Sequence, residues 1–144
     1  MKHPDLRAAA AILFFETLTA ADVTRMGLLY TDDVRFKDPF NEVTGLAPVQ
    51  RIFAHMFSAL DAPCFVVLSA LVEGDQCFLT WDFLFRMKGQ VLERRIHGSS
   101  HLRFAADGRI AQHRDYWDAA EELYEKLPLL GALLRWIKRR LKVS

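Results

Sequence analysis

The sequence predicts a single α+β domain, in which helices cover one face of an antiparallel β-sheet. Three observations lead to that prediction. Helical spacing of apolar residues dominates up to about Leu60, the alternation typical of strands begins at Cys64, and helical spacing returns after Trp117. Short turns separate the strand segments, so the strands are expected to form a meander. Helices followed by a meander are typical of the α+β class.

The first part of the chain is predicted to be mainly helical. The predicted elements are a helix ending near Leu18, a helix over Asp22 to about Tyr30, a strand over Val34 to Lys37 and a helix over Pro48 to about Leu60. Asp22 is a residue type that caps helix N-termini. Pro48 suits the first turn of a helix, where its missing N–H is not needed.

The first helix is predicted to pack on the domain rather than to act as a secretion signal. Glu16 follows its apolar run directly, which argues against a signal peptide. One helical stripe, with Phe14 beside it, carries Leu6, Ala10, Leu13 and Thr17. This stripe is the face expected to meet the sheet.

Four strands are predicted in the second half, and together they form the meander. They run over Phe65 to Val72, Cys77 to Met87, Val91 to Phe104 and Arg109 to Trp117. Turns centred on Gly74, Gly89 and Gly108 separate them, as in β-hairpins. Gly98 interrupts the third strand, where a bulge or a bend would let the sheet curve.

Composition limits the classes of function. The chain has 144 residues, 51% of them hydrophobic, which is enough for one domain (1–144) with a substantial core. Its net charge is +1, but Arg135 to Ser144 holds five Lys or Arg and no acid, so the remainder carries −4. An acidic body argues against nucleic acid as a partner. Two cysteines without metal or disulfide spacing fit the cytoplasm.

The last predicted strand carries the most informative pattern. Alternation places Ala111, His113, Asp115 and Trp117 on one face. That face offers a titratable ring, a carboxylate and a large indole, a set that suits a pocket better than a plain core. The same rule, applied to the second strand, predicts that Thr80 and Asp82 face the concave side, with Trp81 opposite.

The stretch from Leu28 to Phe40, followed by Gly45 and an amphipathic helix, resembles the nuclear transport factor 2-like superfamily. Its Asp32-Asp33, Asp38-Pro39 and Gly45 carry the resemblance. The superfamily includes ketosteroid isomerase, limonene-epoxide hydrolase and the SnoaL-like polyketide cyclases. The resemblance implies a cone, in which a curved antiparallel sheet wraps around the N-terminal helices and encloses a deep cavity. It also implies a small, largely apolar ligand and no cofactor.

The comparison with ketosteroid isomerase implies that Asp38 stands at the position of the general base. Phe14 and Ser100 stand where that enzyme has its two oxyanion donors, a tyrosine and a protonated aspartate. A phenyl ring cannot donate a hydrogen bond. Authentic ketosteroid isomerase activity is therefore not expected.

The comparison with the epoxide hydrolase implies a pair of aspartates. Asp115 stands at the carboxylate that activates water, and Asp82 at the one that protonates the epoxide oxygen. Thr80 replaces the arginine between them, while Asp38 and Phe36 stand at the asparagine and tyrosine that hold the water. Without the arginine, carboxylates in one cavity repel, so at least one is expected to hold a proton.

Each candidate also has a purely structural interpretation. Asp38 before a proline is ordinary turn chemistry at the end of a strand. Asp82 would then hydrogen-bond a neighbouring strand, and His113 would form part of a pocket wall. No local ligand spacing supports a metal site, and none is expected.

Helices are predicted again from Asp118 to about Lys142, with a break at Pro128. In the last helix, apolar residues at positions 130, 133, 134, 137 and 141 form one stripe beside a basic face. Such a helix packs on its own domain or on a partner subunit, covers a cavity as a lid, or lies on a membrane surface. Packing is the expectation, and a membrane is the less favoured partner.

The sequence thus predicts a cytoplasmic, homodimeric cavity protein that acts on a small apolar molecule such as a terpenoid, polyketide or steroid-like compound. The expected chemistry is acid–base isomerisation or hydration by Asp115 with Asp82 or Asp38. The ligand-contacting residues are expected to be Phe14, Phe36, Thr80, Ser100, His113 and Trp117. The alternative is a module that binds the ligand without turnover.

Overall fold

The predicted α+β class is confirmed. The computed structural model describes residues 1–122 and 128–142. The helices are α1 (Leu6–Thr17), a 3₁₀ helix (Ala20–Leu28), α2 (Leu46–Ala59), α3 (Ala119–Glu122) and α4 (Pro128–Leu141). The strands are β1 (Tyr30–Lys37), β2 (Glu42–Thr44), β3 (Leu60–Glu73), β4 (Gln76–Met87), β5 (Glu93–Phe104) and β6 (Ile110–Tyr116).

One curved, unclosed sheet of six strands carries the fold, in the order β2-β1-β6-β5-β4-β3. Strands β3 to β6 pair antiparallel with their neighbours in sequence, which confirms the meander. Strand β1 pairs parallel with β6, so the start of the chain meets its last strand. This long-range pairing left no local sequence signal, and β1 is longer than predicted.

The boundary of the second helical segment differs from the prediction. The segment is a 3₁₀ helix, and it begins after Thr19 rather than at Asp22. Asp22 instead completes a capping box, because its carboxylate accepts a hydrogen bond of 2.8 Å from the backbone N–H of Thr19. The predicted helix beyond Asp118 is described only over α3, since residues 123–127 lie outside the described part of the chain.

Helix α1 turns a different face to the sheet than its spacing suggested. Its buried residues are Ala8, Ala11, Ile12 and Phe15. Leu6 and Leu13 of the predicted stripe are 84% and 64% exposed. The helix is apolar almost all round, so spacing alone could not select its buried face. The two buried alanines also let it approach the sheet closely.

Strand β4 likewise presents the opposite face. We call the side of the sheet that bears the buried residues of β4 the inner face; these are Cys77, Leu79, Trp81, Phe83 and Phe85. Thr80 and Asp82 therefore lie on the outer face, and the prediction that they face the cavity is wrong. Both faces of this strand carry large apolar residues. Alternation therefore shows which residues share a face, but not which of the two faces is buried.

On the outer face, Asp82 has a structural role. His97 Nδ1 lies 2.9 Å from its carboxylate, on the strand directly opposite. Arg95 lies 3.8 Å away. Thr80 hydrogen-bonds Ser69 on the neighbouring strand. The pairing of Asp82 with Asp115 across the cavity is therefore wrong, as is ligand contact by Thr80.

Gly98 is required by packing and not by a bulge. The register between β4 and β5 is unbroken, with Trp81 opposite Gly98. A Cβ atom on Gly98 would come within 2.5 Å of the Trp81 ring. The indole thus crosses the space that a side chain at position 98 would occupy.

No helix within residues 1–122 and 128–142 is both long and apolar enough to cross a membrane.

Gly98→Ala should destabilise the fold, because a methyl group would collide with the Trp81 indole. Overpacking of this kind typically lowers the free energy of unfolding by about 1–3 kcal/mol. Chemical denaturation measures the change. Ser99→Ala, one residue further on β5, is the control and should change stability by less than about 0.5 kcal/mol. Equal effects of the two substitutions would contradict this explanation of Gly98.

Candidate functional site

A small interior cavity lies between helices α1 and α2 and the inner face of the sheet. Its walls are mainly apolar and aromatic: Phe15, Phe53, Phe65, Val67 and Trp81. Three polar side chains share the wall: Ser100, His113 and Asp115. The cavity volume is about 20 Å³. That is room for roughly one water molecule.

One line of hydrogen bonds reaches Asp115 from the sheet. Trp81 Nε1–H donates to Ser100 Oγ at 2.9 Å. The Ser100 hydroxyl in turn donates to Asp115 Oδ1 at 2.5 Å. Ser100 and Asp115 are directly opposite each other on β5 and β6, so the strand register itself brings them together. Ser100 is only 4% exposed, and this pairing satisfies its hydroxyl.

A second line reaches the same oxygen atom from the other side. His113 Nε2 lies 2.6 Å from Asp115 Oδ1. His113 Nδ1 lies 2.7 Å from the hydroxyl of Tyr30, at the start of β1. We call these five residues, Tyr30, Trp81, Ser100, His113 and Asp115, the Asp115 network.

The network has one arrangement of protons that pairs every group. Burial raises the pKa of Tyr30 well above its ordinary value, and the nearby charge of Asp115 raises it further. Tyr30 therefore keeps its proton and donates it to His113 Nδ1. His113 is then the neutral Nε2–H tautomer, which donates to the Asp115 carboxylate. With the opposite tautomer, the Tyr30 proton would have no acceptor among the described residues.

Aromatic rings hold the imidazole of His113 in position. The ring of Tyr30 is stacked on it at 5.9 Å. Phe15 meets it edge-on at 5.6 Å, and Phe36 is tilted against it at 4.9 Å. His113 is only 3% exposed, so its two nitrogens depend entirely on Tyr30 and Asp115.

Asp115 lines the wall of the interior cavity. It also lines an open groove, which we call the mouth groove, formed by Lys37, Asp38, Pro39, Arg114, Asp115, Tyr116, Trp117 and Asp118. The side chain of Asp115 is 17% exposed. Among the described residues, none donates a hydrogen bond to its second oxygen, Oδ2. Oδ1 thus accepts two hydrogen bonds, and Oδ2 accepts none from the described residues.

Asp38 lies in the mouth groove and not on the wall of the cavity. Its Oδ1 accepts hydrogen bonds from the backbone N–H groups of Phe40, at 2.8 Å, and Asn41, at 2.6 Å. The Asn41 side chain bonds both carboxylate oxygens. This is the turn chemistry that an aspartate before a proline predicts.

The remaining residues that the sequence predicts to contact a ligand lie near the cavity or in the mouth groove. Ser100 and His113 line the cavity as expected, and Phe36 packs directly on His113. Trp117 lines the mouth groove, where its ring meets Phe40 edge-on at 5.5 Å.

Phe14 does not line the cavity. It is half-buried and packs on Phe15, whose ring occupies the wall instead. The structure thus places Phe14 behind the cavity wall, and ligand contact by Phe14 stays a prediction.

Sequence reasoning missed two members of the Asp115 network, Tyr30 and Trp81. Tyr30 was assigned to a helix end, although it begins β1 and is fully buried. Trp81 was placed on the far side of its strand. Its opposition to Gly98 was the available signal, since a glycine within a strand often marks the close approach of another group. Within residues 1–122 and 128–142, no three His, Cys, Asp or Glu side chains are arranged to hold a metal ion.

Tyr30→Phe should destabilise the protein, because His113 Nδ1 loses its donor inside the core. An unpaired buried acceptor costs about 1–3 kcal/mol of unfolding free energy. Tyr116→Phe, at a 47% exposed tyrosine, is the matched control and should cost less than about 0.5 kcal/mol. Denaturation curves of both variants decide the point, and equal losses would count against the buried hydrogen bond.

The same substitution has an expected pH dependence. The folded state binds the Tyr30 proton more tightly than the unfolded state, since the folded pKa is raised above the ordinary 10.0. The resulting stabilisation is complete below about pH 10 and is lost progressively at higher pH. Stability should therefore fall more steeply above pH 10 in the parent protein than in Tyr30→Phe. Parallel alkaline profiles would contradict the raised pKa.

Comparison with known proteins agrees with the architecture. The model of the SnoaL-like domain family matches residues 11–113, which is more than half of the chain and includes most of the cavity wall. Among curated proteins, no sequence matches the chain significantly.

Several solved structures share the fold. A protein with a ketosteroid isomerase-like fold from Catenulispora acidiphila, solved with trimethylamine, is 15% identical, with a TM-score of 0.71 over 84% of this chain and 92% of that one. A SnoaL-like polyketide cyclase, so described, from Shewanella putrefaciens is 16% identical, with a TM-score of 0.70 over 84% and 98%. TsrD from Streptomyces laurentii is 19% identical, with a TM-score of 0.69 over 90% and 99%. Such low identities establish the fold alone, while the family match covers the greater part of the sequence. The chain belongs to the SnoaL-like domain family.

Proposed function

We propose that this protein is an enzyme that transfers a proton within a small, largely apolar molecule, with Asp115 as the base. The observation that supports the proposal is the asymmetry of this carboxylate. Oδ1 is held by Ser100 and His113, while Oδ2 accepts no hydrogen bond from the described residues, and the residue lines both the cavity and the mouth groove. A carboxylate held in this way is oriented before a substrate arrives.

The proposed reaction is an isomerisation. Oδ2 removes a proton from a carbon next to a carbonyl group, and the resulting carboxylic acid returns that proton to another carbon of the same molecule. Proton transfer by a positioned side chain contributes about 10²–10⁴-fold to a rate. The hydrogen bonds from Ser100 and His113 fix the orientation of the carboxylate that acts as the base.

Hydration by an aspartate pair has less support. The second aspartate of that mechanism would be Asp82, which is bonded to His97 on the outer face of the sheet. Asp38 shares the mouth groove with Asp115, but its carboxylate is occupied by the Phe40–Asn41 turn. A single base that accepts and returns one proton needs neither residue.

The size of the cavity bears on how a substrate binds. Ligand sites for small organic molecules commonly measure about 300–1,000 Å³, whereas this cavity measures about 20 Å³. An apolar substrate must therefore displace wall rings such as Phe15 and Phe65 when it enters. The aromatic wall favours apolar or planar groups over strongly hydrated ones.

A second candidate function is binding of a small organic amine without turnover. Four aromatic side chains and one carboxylate line the cavity, and such a box suits an alkylammonium ion. The Catenulispora acidiphila protein was solved in complex with trimethylamine. In this function Asp115 would be the counter-ion and not a base.

Asp115→Asn should lower turnover by about 10²–10⁴-fold, since the amide keeps an acceptor oxygen for Ser100 and His113 but cannot take a proton. Enone isomerisation, followed by absorbance across a panel of apolar enones, is the measurement. Asp33→Asn, at an exposed aspartate of β1, is the matched control and should leave turnover unchanged. Melting temperatures check that both variants are folded.

Turnover that survives Asp115→Asn would exclude Asp115 as the base. The amine hypothesis has its own readout, which is calorimetric titration with trimethylamine hydrochloride. Binding that Asp115→Asn abolishes and Asp33→Asn leaves intact, with no enone turned over by the parent protein, would favour the second candidate.

A further inference from the structure

Helix α4 exposes an apolar stripe that the rest of the described chain does not cover. Trp136 and Ile137 lie three and four residues after Leu133, and Leu141 lies four residues after Ile137, so all four share one side of the helix. They are 53%, 49%, 40% and 77% exposed, respectively. The helix is less exposed at two other positions, since Gly131 is buried and Leu134 is half-buried. The predicted packing of this helix, on its own domain or on a partner subunit, stays a prediction.

Cations border this stripe. Residues 128–142 contain five Lys or Arg and no Asp or Glu. The basic residues are Arg135, Lys138, Arg139, Arg140 and Lys142. Lys138 Nζ approaches the Glu121 carboxylate of α3 at 4.0 Å. The guanidinium of Arg140 lies 5.1 Å from the centre of the Trp136 ring. The helix thus presents an apolar surface with an indole, flanked by positive charge.

We propose that α4 binds peripherally to a membrane surface rich in anionic lipids. The helix would lie parallel to the surface, with Leu133, Trp136, Ile137 and Leu141 in the boundary between headgroups and acyl chains. The flanking arginine and lysine side chains would contact the lipid phosphates. Charge complementarity selects this occupant, because a neutral apolar partner would not require the five cations.

The length of the helix agrees with peripheral binding. Fourteen residues form α4, and at about 1.5 Å per residue such a helix extends for about 21 Å. The hydrocarbon core of a bilayer is about 30 Å thick, so the helix is too short to cross it. A short helix with one apolar side and a basic flank is typical of surface binding.

Charge also orients the molecule on the surface. Outside Arg135 to Ser144 the chain carries a net charge of −4, so an anionic surface attracts the end of α4 and repels the rest of the chain. The attraction and the repulsion are both screened by salt. Binding should therefore weaken as the ionic strength rises. The proposal does not depend on Asp115 or on any catalytic activity.

Co-sedimentation of the full-length protein with vesicles tests the proposal. Vesicles of phosphatidylcholine alone are compared with vesicles that also contain phosphatidylglycerol. Ile137→Glu places a charge in the stripe and should weaken binding to the anionic vesicles about tenfold or more. Val91→Glu makes the same charge change at a residue that is 93% exposed in the turn between β4 and β5, so it should change binding only about twofold.

A basic residue provides an independent test. Arg139→Gln should weaken binding to the anionic vesicles about fivefold and leave the weak binding to neutral vesicles unchanged. Arg51→Gln, at an exposed arginine of α2, is the matched control and should have little effect. Circular dichroism spectra confirm that all four variants are folded.

Three outcomes would overturn the proposal. The first is a parent protein that does not sediment with anionic vesicles. The second is equal binding by Ile137→Glu and Val91→Glu. The third is light scattering that shows a dimer which Ile137→Glu separates, together with no vesicle binding, since the stripe would then be covered by a second copy of the chain.

Discussion

The two hydrogen bonds that meet at Asp115 Oδ1 are the interaction on which the site depends. Tyr30 on β1, Trp81 on β4, Ser100 on β5 and His113 on β6 are all joined through that one oxygen atom. Each of these polar groups is costly to bury alone, and each is satisfied only while the others are present. The network therefore holds four strands in register and leaves Oδ2 as the open atom of the site.

The position of the network follows from packing on the inner face of the sheet. The Trp81 indole can reach Ser100 because Gly98 leaves the space that it crosses. Tyr30 reaches His113 because β1 lies parallel beside β6, a pairing that joins distant parts of the sequence. A glycine and a long-range strand pairing thus fix the surroundings of Asp115, although neither supplies a chemical group to the cavity.

Prediction from sequence succeeded where local pattern decides structure. The glycine turns predicted the meander, and the polar residues of β6 showed which of its faces carries His113 and Asp115. Prediction from sequence failed where both sides of an element are apolar. The periodicity of α1 and β4 does not show which of their two sides is buried. Thr80 and Asp82 were misplaced for that reason. The partners Tyr30 and Trp81 depend on tertiary packing, which no spacing reports, and the homodimer and the cytoplasmic location stay predictions.

The most direct test of this account is the protonation of His113. Nitrogen-15 NMR of the labelled protein distinguishes a ring nitrogen that carries a proton from one that does not. The signals of His113 are identified by their loss in His113→Asn. At pH 7 the account expects a proton on Nε2, directed at Asp115, and none on Nδ1, which accepts from Tyr30. A proton on Nδ1 would contradict donation by Tyr30, and an Nε2 without a proton would contradict the convergence of donors on Asp115.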